Sequence, residues 1–172
     1  MNHKIYVIAA VDENFGIGKN NDLPWSFSKD MAFFKKTTTE TKDPNKKNML
    51  IMGSKTWESI PEKYRPFKDR KNAVLAWDPE YKAKGATVYG SIDEALDAAG
   101  SDIENIFFIG GGMIYRESIA HPKLTGVYLT HIEKQYDCDT FFPHLPKKFS
   151  NKTVVNEDWE NGIKLEFALY TT

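Results

Sequence analysis

Four stretches of the chain bring together residue types that could hold a ligand or act on one. In Ile109-Gly110-Gly111-Gly112-Met113, three glycines separate an apolar run from a helix-like one. Backbone without Cβ atoms can approach a ligand closely. A helix start adds free amides and a partial positive charge, so a phosphate suits this turn. Tyr115 stands where a G-x-G-x-x-G signature would carry its third glycine, so the residues also read as a tight strand–helix turn with no ligand. Met52-Gly53-Ser54-Lys55-Thr56-Trp57 repeats the pattern. Lys55 and the Thr56 hydroxyl could grip phosphate oxygens there, or Lys55 could be a solvated side chain behind an ordinary helix start. Asp30 and Phe34, four residues apart, share one helix face. A carboxylate beside an aromatic ring suits a flat, cationic or amidine-like heterocycle, although an acid in a first turn also complements the helix dipole without any ligand. Finally, Phe15-Gly16-Ile17-Gly18-Lys19-Asn20-Asn21-Asp22-Leu23-Pro24-Trp25 is pliable and ends on an aromatic anchor. It reads as a lid over a ligand, or as a surface loop whose Leu23 and Trp25 plug the core.

These groups need elements to carry them. Short apolar runs at Ile5–Val11, Asn48–Met52, Asn72–Ala76, Ala86–Tyr89, Ile106–Ile109 and Val127–His131 read as strands. They are continuous rather than alternating, as expected of strands covered on both faces. Lys152–Asn156 and Lys164–Tyr170 flank Glu160-Asn161-Gly162, and Asn-Gly is a strong hairpin signal, so this end is expected to be antiparallel. Helices are predicted over Ser28–Thr39, with Met31, Phe33 and Phe34 near one side, and over Ser54–Ile60, Ser91 to about Ala99, and Met113–Ala120. Ser91-Ile92-Asp93-Glu94 is a capping box in which Ser91 accepts from the Glu94 amide and Glu94 returns a bond to Ser91. Alternating strands and helices imply right-handed crossovers. The expected fold class is α/β: a three-layer domain over residues 1–172, its mostly parallel central sheet flanked by helices and ending in an antiparallel hairpin. Thr39–Lys47 and Leu145–Lys152 read as surface loops. The two glycine turns then lie on the carboxyl edge of one sheet, where open α/β sheets bind ligands and where a dinucleotide with two phosphates would fit.

Composition narrows the possibilities. Among 172 residues, 41% are hydrophobic and 13% aromatic, enough for a core that needs no disulfide or metal to fold. Lys and Arg number 23 against 24 Asp and Glu, a net charge of −1, so the chain as a whole has no electrostatic footprint for nucleic acid. The single cysteine, Cys138, excludes an intramolecular disulfide and any site built from several cysteines, and no two of the four histidines are spaced as a helical zinc pair. Cys138 and His131 read as packing residues, and no metal site is expected. No apolar run is long enough to span a membrane. The expectation is a soluble, cytoplasmic, monomeric protein with a small-molecule substrate and no membrane or nucleic-acid partner.

Taken in order, the fragments resemble dihydrofolate reductase. They are Ile8-Ala9-Ala10, Gly16-Ile17-Gly18-Lys19-Asn20, Leu23-Pro24-Trp25, Asp30 with Phe33-Phe34-Lys35, and Met52-Gly53 with Lys55-Thr56-Trp57-Glu58-Ser59-Ile60-Pro61. Arg65-Pro66 with Arg70, Ile109-Gly110-Gly111-Gly112 with Tyr115, Tyr128-Leu129-Thr130-His131 and Asp139-Thr140-Phe141-Phe142-Pro143 follow. Each is weak alone; their order and spacing are specific. The resemblance runs from about Ile5 to Pro143 and more weakly through the final hairpin. It implies hydride transfer from NADPH to C6 of 7,8-dihydrofolate with protonation at N5, giving tetrahydrofolate. It assigns Asp30, Trp25, Leu23 and Thr130 to catalysis. Asp30 would bond the pterin 2-amino group and N3, braced by Thr130; Trp25 would position a water; Leu23 would ride the mobile loop. Ile8, Ala10, Met31, Phe34, Ile60, Phe67 and Ile109 would line the substrate, and the Arg70 guanidinium would pair with the carboxylate of its glutamate tail. Ala10, Ile17, Gly18, Gly53, Ser54, Lys55, Thr56, Ala76, Trp77, Ser91, Ile109, Gly110, Gly111, Gly112, Met113, Ile114 and Tyr115 would hold the cofactor.

The chain departs from the family where the 2′-phosphate of NADPH is usually met by basic residues. Ser54, Ala76-Trp77, Gly90 and Met113 carry no charge there, and Asp78 follows Trp77. Trp77 could stack on adenine and Asp78 could accept from a free 2′-hydroxyl, so use of NADH is expected beside NADPH. Asp69 replaces a frequent glycine next to Arg70. Two alternatives share features: a related pyrimidine reductase of riboflavin synthesis, against which Asp30 and Arg70 argue, and a non-catalytic pterin or nucleotide binder.

Overall fold

The computed structural model of the protein describes residues 2–172. In chain order its elements are β1 (Lys4–Val11), β2 (Gly16–Gly18), α1 (Ser28–Thr39), β3 (Lys47–Gly53), α2 (Ser54–Ser59), β4 (Lys71–Leu75), β5 (Thr87–Tyr89), α3 (Ile92–Ala98), β6 (Ile103–Phe108), α4 (Gly112–Ile119), β7 (Gly126–Ile132), β8 (Thr140–Phe141), β9 (Asn151–Glu160) and β10 (Ile163–Thr171). Eight strands form one sheet in the order β5-β4-β3-β6-β1-β7-β10-β9. The pairs from β5 to β7 are parallel; β10 runs antiparallel to both β7 and β9.

Successive strand residues serve opposite faces, because side chains alternate across the pleat. Val7, Ala9, Met49, Ile51, Ile106 and Phe108 face one core with Ile92, Ala95 and Leu96 of α3 and Ile114 and Ile119 of α4. Ile8, Leu50, Met52 and Phe107 face another, with Phe33 and Phe34 of α1 and Trp57 of α2. The sheet is therefore sandwiched by two helices on each side, which is why its strands read as unbroken apolar runs.

The differences from the sequence reading are local. β6 begins earlier, at Ile103, and leaves Ile109 beyond its end. β9 starts at Asn151 and runs to Glu160, so the last four residues before the hairpin turn are strand. The turn itself has Asn161 at φ 53° and Gly162 at φ 77°, the left-handed pair that a two-residue hairpin demands. Ser91 accepts from the Glu94 amide at 3.1 Å as expected, but the Glu94 carboxylate returns to the Gly90 amide, at 3.0 Å, and not to Ser91. β2 and β8 pair antiparallel and are too short to leave a periodic signal. Among the described residues no helix is long and apolar enough to cross a membrane.

Phe108 is fully buried at the centre of the sheet. Phe108→Ala should lower the free energy of unfolding by about 3–5 kcal/mol, since both the burial of the ring and the packing around it are lost. Urea denaturation followed by circular dichroism measures this directly.

Candidate functional site

A cleft of about 560 Å³ opens at the carboxyl ends of the central strands. β1 contributes Ile8, Ala9 and Ala10; α1 contributes Asp30, Met31, Phe33 and Phe34; α2 contributes Lys55, Thr56 and Ser59. Ile109–Gly112, Tyr115 and Thr130 close its inner side, and Ile17, Gly18, Leu23 and Thr140 its rim. A larger hollow of about 1400 Å³ lies on the other flank of α1, over Tyr6 and Phe107, and contains neither glycine turn nor Asp30.

Asp30 sits in the first turn of α1 and is half-buried. Burial pushes its carboxyl above its ordinary value; the Thr130 hydroxyl of β7, beside it in the cleft, pulls the other way, and the Glu160 carboxylate adds to the rise. Glu160 is close because it caps α1. Its two oxygens accept from the Ser28 and Lys29 amides, each at 2.9 Å, across the gap from the end of β9. Phe34, one helical turn beyond Asp30, tilts against Phe67 at 5.7 Å.

Opposite Asp30, the two glycine turns meet. The Gly53 amide donates to the Gly110 carbonyl at 2.8 Å. A Cβ on Gly111 would lie 3.3 Å from Thr56 Oγ1, and one on Gly110, whose φ is 121°, would press on the Tyr115 hydroxyl at 3.2 Å and its ring at 3.3 Å. Only glycine allows this approach of α2 to the start of α4. The peptide between Gly110 and Gly111 is cis. The Tyr115 hydroxyl lies 2.9 Å from both the Ile8 and the Ile109 carbonyl oxygens. Burial, reinforced by the nearby Asp30 charge, pushes its pKa far up, so it stays a neutral donor.

The sequence profile described as dihydrofolate reductase matches residues 4–172. A dihydrofolate reductase of Heliothis virescens is 44% identical over 151 residues, covering 84% of this chain and 82% of the relative. One of Drosophila melanogaster is 37% identical over 172 residues, covering 95% and 94%. The solved structure of Schistosoma mansoni dihydrofolate reductase superposes with a TM-score of 0.85 at 36% identity, over 99% of each chain. The chain belongs to the dihydrofolate reductase family.

In this dihydrofolate reductase fold the expected substrate residues Ile8, Ala10, Asp30, Met31, Phe34, Ile60, Phe67, Ile109 and Thr130 all line one cleft. Arg70 does not. It is buried behind Phe67, its guanidinium 5.1 Å from that ring, with Nε donating to the Lys68 carbonyl and a terminal nitrogen to Thr38 Oγ1. Trp25 is also outside the lining. It packs in a third core cluster with Phe27, Ile132, Leu165 and Phe167, against Tyr136 at 5.1 Å, and its indole Nε1 has no partner among the described residues. Leu23, by contrast, is exposed on the rim.

The expected cofactor residues divide in two. Ala10, Ile17, Gly18, Lys55, Thr56, Ile109–Gly112 and Tyr115 line the cleft. Gly53, Ser54, Ala76, Trp77, Ser91, Met113 and Ile114 lie outside it. Gly53 and Ser54 follow β3, Ala76 and Trp77 follow β4, and Ser91 follows β5 and caps α3. Since β5, β4, β3 and β6 are neighbours, these ends form a track of roughly 15 Å beside the cleft, long enough for an extended dinucleotide. The glycine approach between its last two members, β3 and β6, fits a cofactor with phosphates there.

Sequence reasoning did not single out Ser59, Tyr64 and Thr140, which also line the cleft. Ser59 and Thr140 stood in recognisable motifs; Tyr64 carried no signal. Tyr115→Phe should remove the side-chain donor shared by the Ile8 and Ile109 carbonyls and lower stability by about 1–3 kcal/mol, read from urea midpoints at constant slope.

Proposed function

We propose that this cleft reduces 7,8-dihydrofolate to 5,6,7,8-tetrahydrofolate, with hydride delivered to pterin C6 and a proton to N5. The observation that carries this reading is the half-buried Asp30, with Thr130 beside it, at the head of an aromatic-walled cleft whose far side is the paired glycine turn. When bound, a reduced nicotinamide supplies the hydride. The chain supplies alignment, a dry pocket and proton management.

Asp30 accepts from the 2-amino group and N3 of the pterin. Its partly apolar surroundings make that paired contact stronger than it would be in water. The same contact polarises the heterocycle, and water reaching N5 completes protonation; the Trp25 indole N–H, outside the lining and without a partner among the described residues, is the donor left free to hold such a water. Phe34, Met31, Ile60 and Phe67 grip the flat ring and aminobenzoyl portion, and Leu23 closes the rim. Arg70, outside the lining and 5.1 Å from the Phe67 ring, would reach the glutamate tail only where that tail runs past Phe67. Lys55, Thr56 and the three glycines hold the dinucleotide phosphates; Trp77 and Ser91 meet its adenosine end. We read the protein as a monomer of one domain, and the pyrimidine-reductase alternative finds no support in the family match.

Asp30→Asn should lower turnover at neutral pH by about 100-fold or more, followed as loss of reduced-nicotinamide absorbance on adding dihydrofolate. The same substitution should raise the melting temperature at neutral pH. Burial lifts the folded-state pKa of Asp30 above its unfolded value, so the folded protein binds more protons between the two and loses stability as pH rises through that window. The gain from Asp30→Asn should therefore vanish as pH falls below the ordinary carboxylate range.

Cofactor choice follows from charge. NADPH is the donor, with NADH tolerated, because Ser54, Gly90, Ala76 and Met113 offer a 2′-phosphate no cation and Trp77 is 93% exposed. Only Lys55 and Ser91 remain to contact it. Initial rates at low salt should show a preference for NADPH below about 1000-fold, or about 4 kcal/mol.

A further inference from the structure

Asp12 directly follows β1 and is buried, 2% exposed, yet does not line the cleft. Its Oδ1 accepts from the Asn14 amide at 2.9 Å and the Gly16 amide at 2.7 Å. Its Oδ2 accepts from the Tyr136 amide at 2.9 Å, with Cys138 Sγ at 3.9 Å. One oxygen thus serves the loop that follows β1, and the other serves the segment that leads into β8. No lysine, arginine or histidine forms an ion pair with it among the described residues. A buried carboxylate without a counter-ion persists only where its oxygens are filled by hydrogen bonds, and here backbone amides from two segments fill them.

Both segments end in the cleft. Beyond Gly16, Ile17 and Gly18 reach its rim; beyond Cys138, Thr140 does. The loop between Asp12 and Gly16 is strained, with Phe15 in the left-handed region at φ 62°, a costly place for an aromatic residue. The Phe15 amide donates to the Asp12 carbonyl at 3.0 Å, and the Phe15 carbonyl accepts from Phe142 at 2.7 Å, so that conformation is held from both sides. Packing leaves no slack: a Cβ on Gly16 would lie 2.5 Å from Cys138 Sγ and 3.0 Å from Asp12 Oδ1.

We infer that Asp12 is a positioning residue for the hydride step. By tying the two segments together it sets where Ile17 and Gly18 stand over the reacting rings, while the pterin grip, built from α1 and α2, is independent of it. The inference rests on the reductase reading above. Asp12→Asn keeps one acceptor but turns an amide donor toward a backbone N–H, breaking one side of the tie. Gly16→Ala pries the same joint apart without altering the carboxylate.

Three measurements on the whole protein test this: amide hydrogen exchange at Tyr136, dihydrofolate affinity by fluorescence quenching, and single-turnover oxidation of NADPH. Each variant should speed Tyr136 exchange and slow the single turnover by about 10-fold or more, with affinity for dihydrofolate within about 3-fold of the parent. If either variant loosens Tyr136 yet turns over at the parental rate, Asp12 does not position the reaction. A loss of dihydrofolate affinity as large as the loss of rate also overturns the inference, since it marks general damage to the pocket. Should Asp12→Asn fail to fold, Gly16→Ala decides alone. A parent protein that binds dihydrofolate but oxidises no reduced nicotinamide overturns the reductase reading itself.

Discussion

At the carboxyl ends of β1 and β6, the carbonyls of Ile8 and Ile109 point into the space where the sheet gives way to the cleft. Buried carbonyls without partners would be costly, and the Tyr115 hydroxyl, 2.9 Å from each, offers its one proton to the pair. That bond depends on α4 approaching the sheet, and α4 approaches only because Gly110 lacks the Cβ that would press on the Tyr115 ring. The Gly53–Gly110 backbone bond then draws α2 to the same point. The cleft is what remains once these contacts are made, so its shape follows from satisfying backbone at a sheet edge.

The acid across the cleft is coupled to the frame in a different way. Glu160, from the far end of the chain, satisfies the first amides of α1 and so fixes the helix that carries Asp30. The same carboxylate adds to the rise in the Asp30 pKa. Anchoring the helix and tuning the acid are therefore one interaction. The carboxyl that makes the cleft useful is also held there at the expense of stability, a conflict common where a site needs a buried charge.

Much of this was legible in the residues. Unbroken apolar runs separated by helix-like stretches specify a parallel sheet covered on both faces, because hydrophobic periodicity is a local property of the chain. Asn161-Gly162 announces the last hairpin for the same reason, since the left-handed conformations are needed within the turn itself. The Gly53 and Gly110–Gly112 turns, Asp30 with Phe34, and the spacing that resembles dihydrofolate reductase are local signals too, and the cleft gathers most of the residues they name.

What the residues by themselves could not specify depends on groups that meet only after folding. Asp12 reads as the polar end of a strand until Tyr136, over a hundred positions later, is seen donating to it. Glu160 reads as a hairpin residue until its oxygens are found at the start of α1. Arg70 and Trp25 carry their identities in the sequence, but whether they face the cleft or the core is decided by packing: Phe67 stands between Arg70 and the cleft, and a separate aromatic cluster claims Trp25. The chain's order determined which chemistry was available and on which elements it rode. Burial and long-range hydrogen bonding, which belong to no single segment, decided where each group points and which electrostatic partners it keeps.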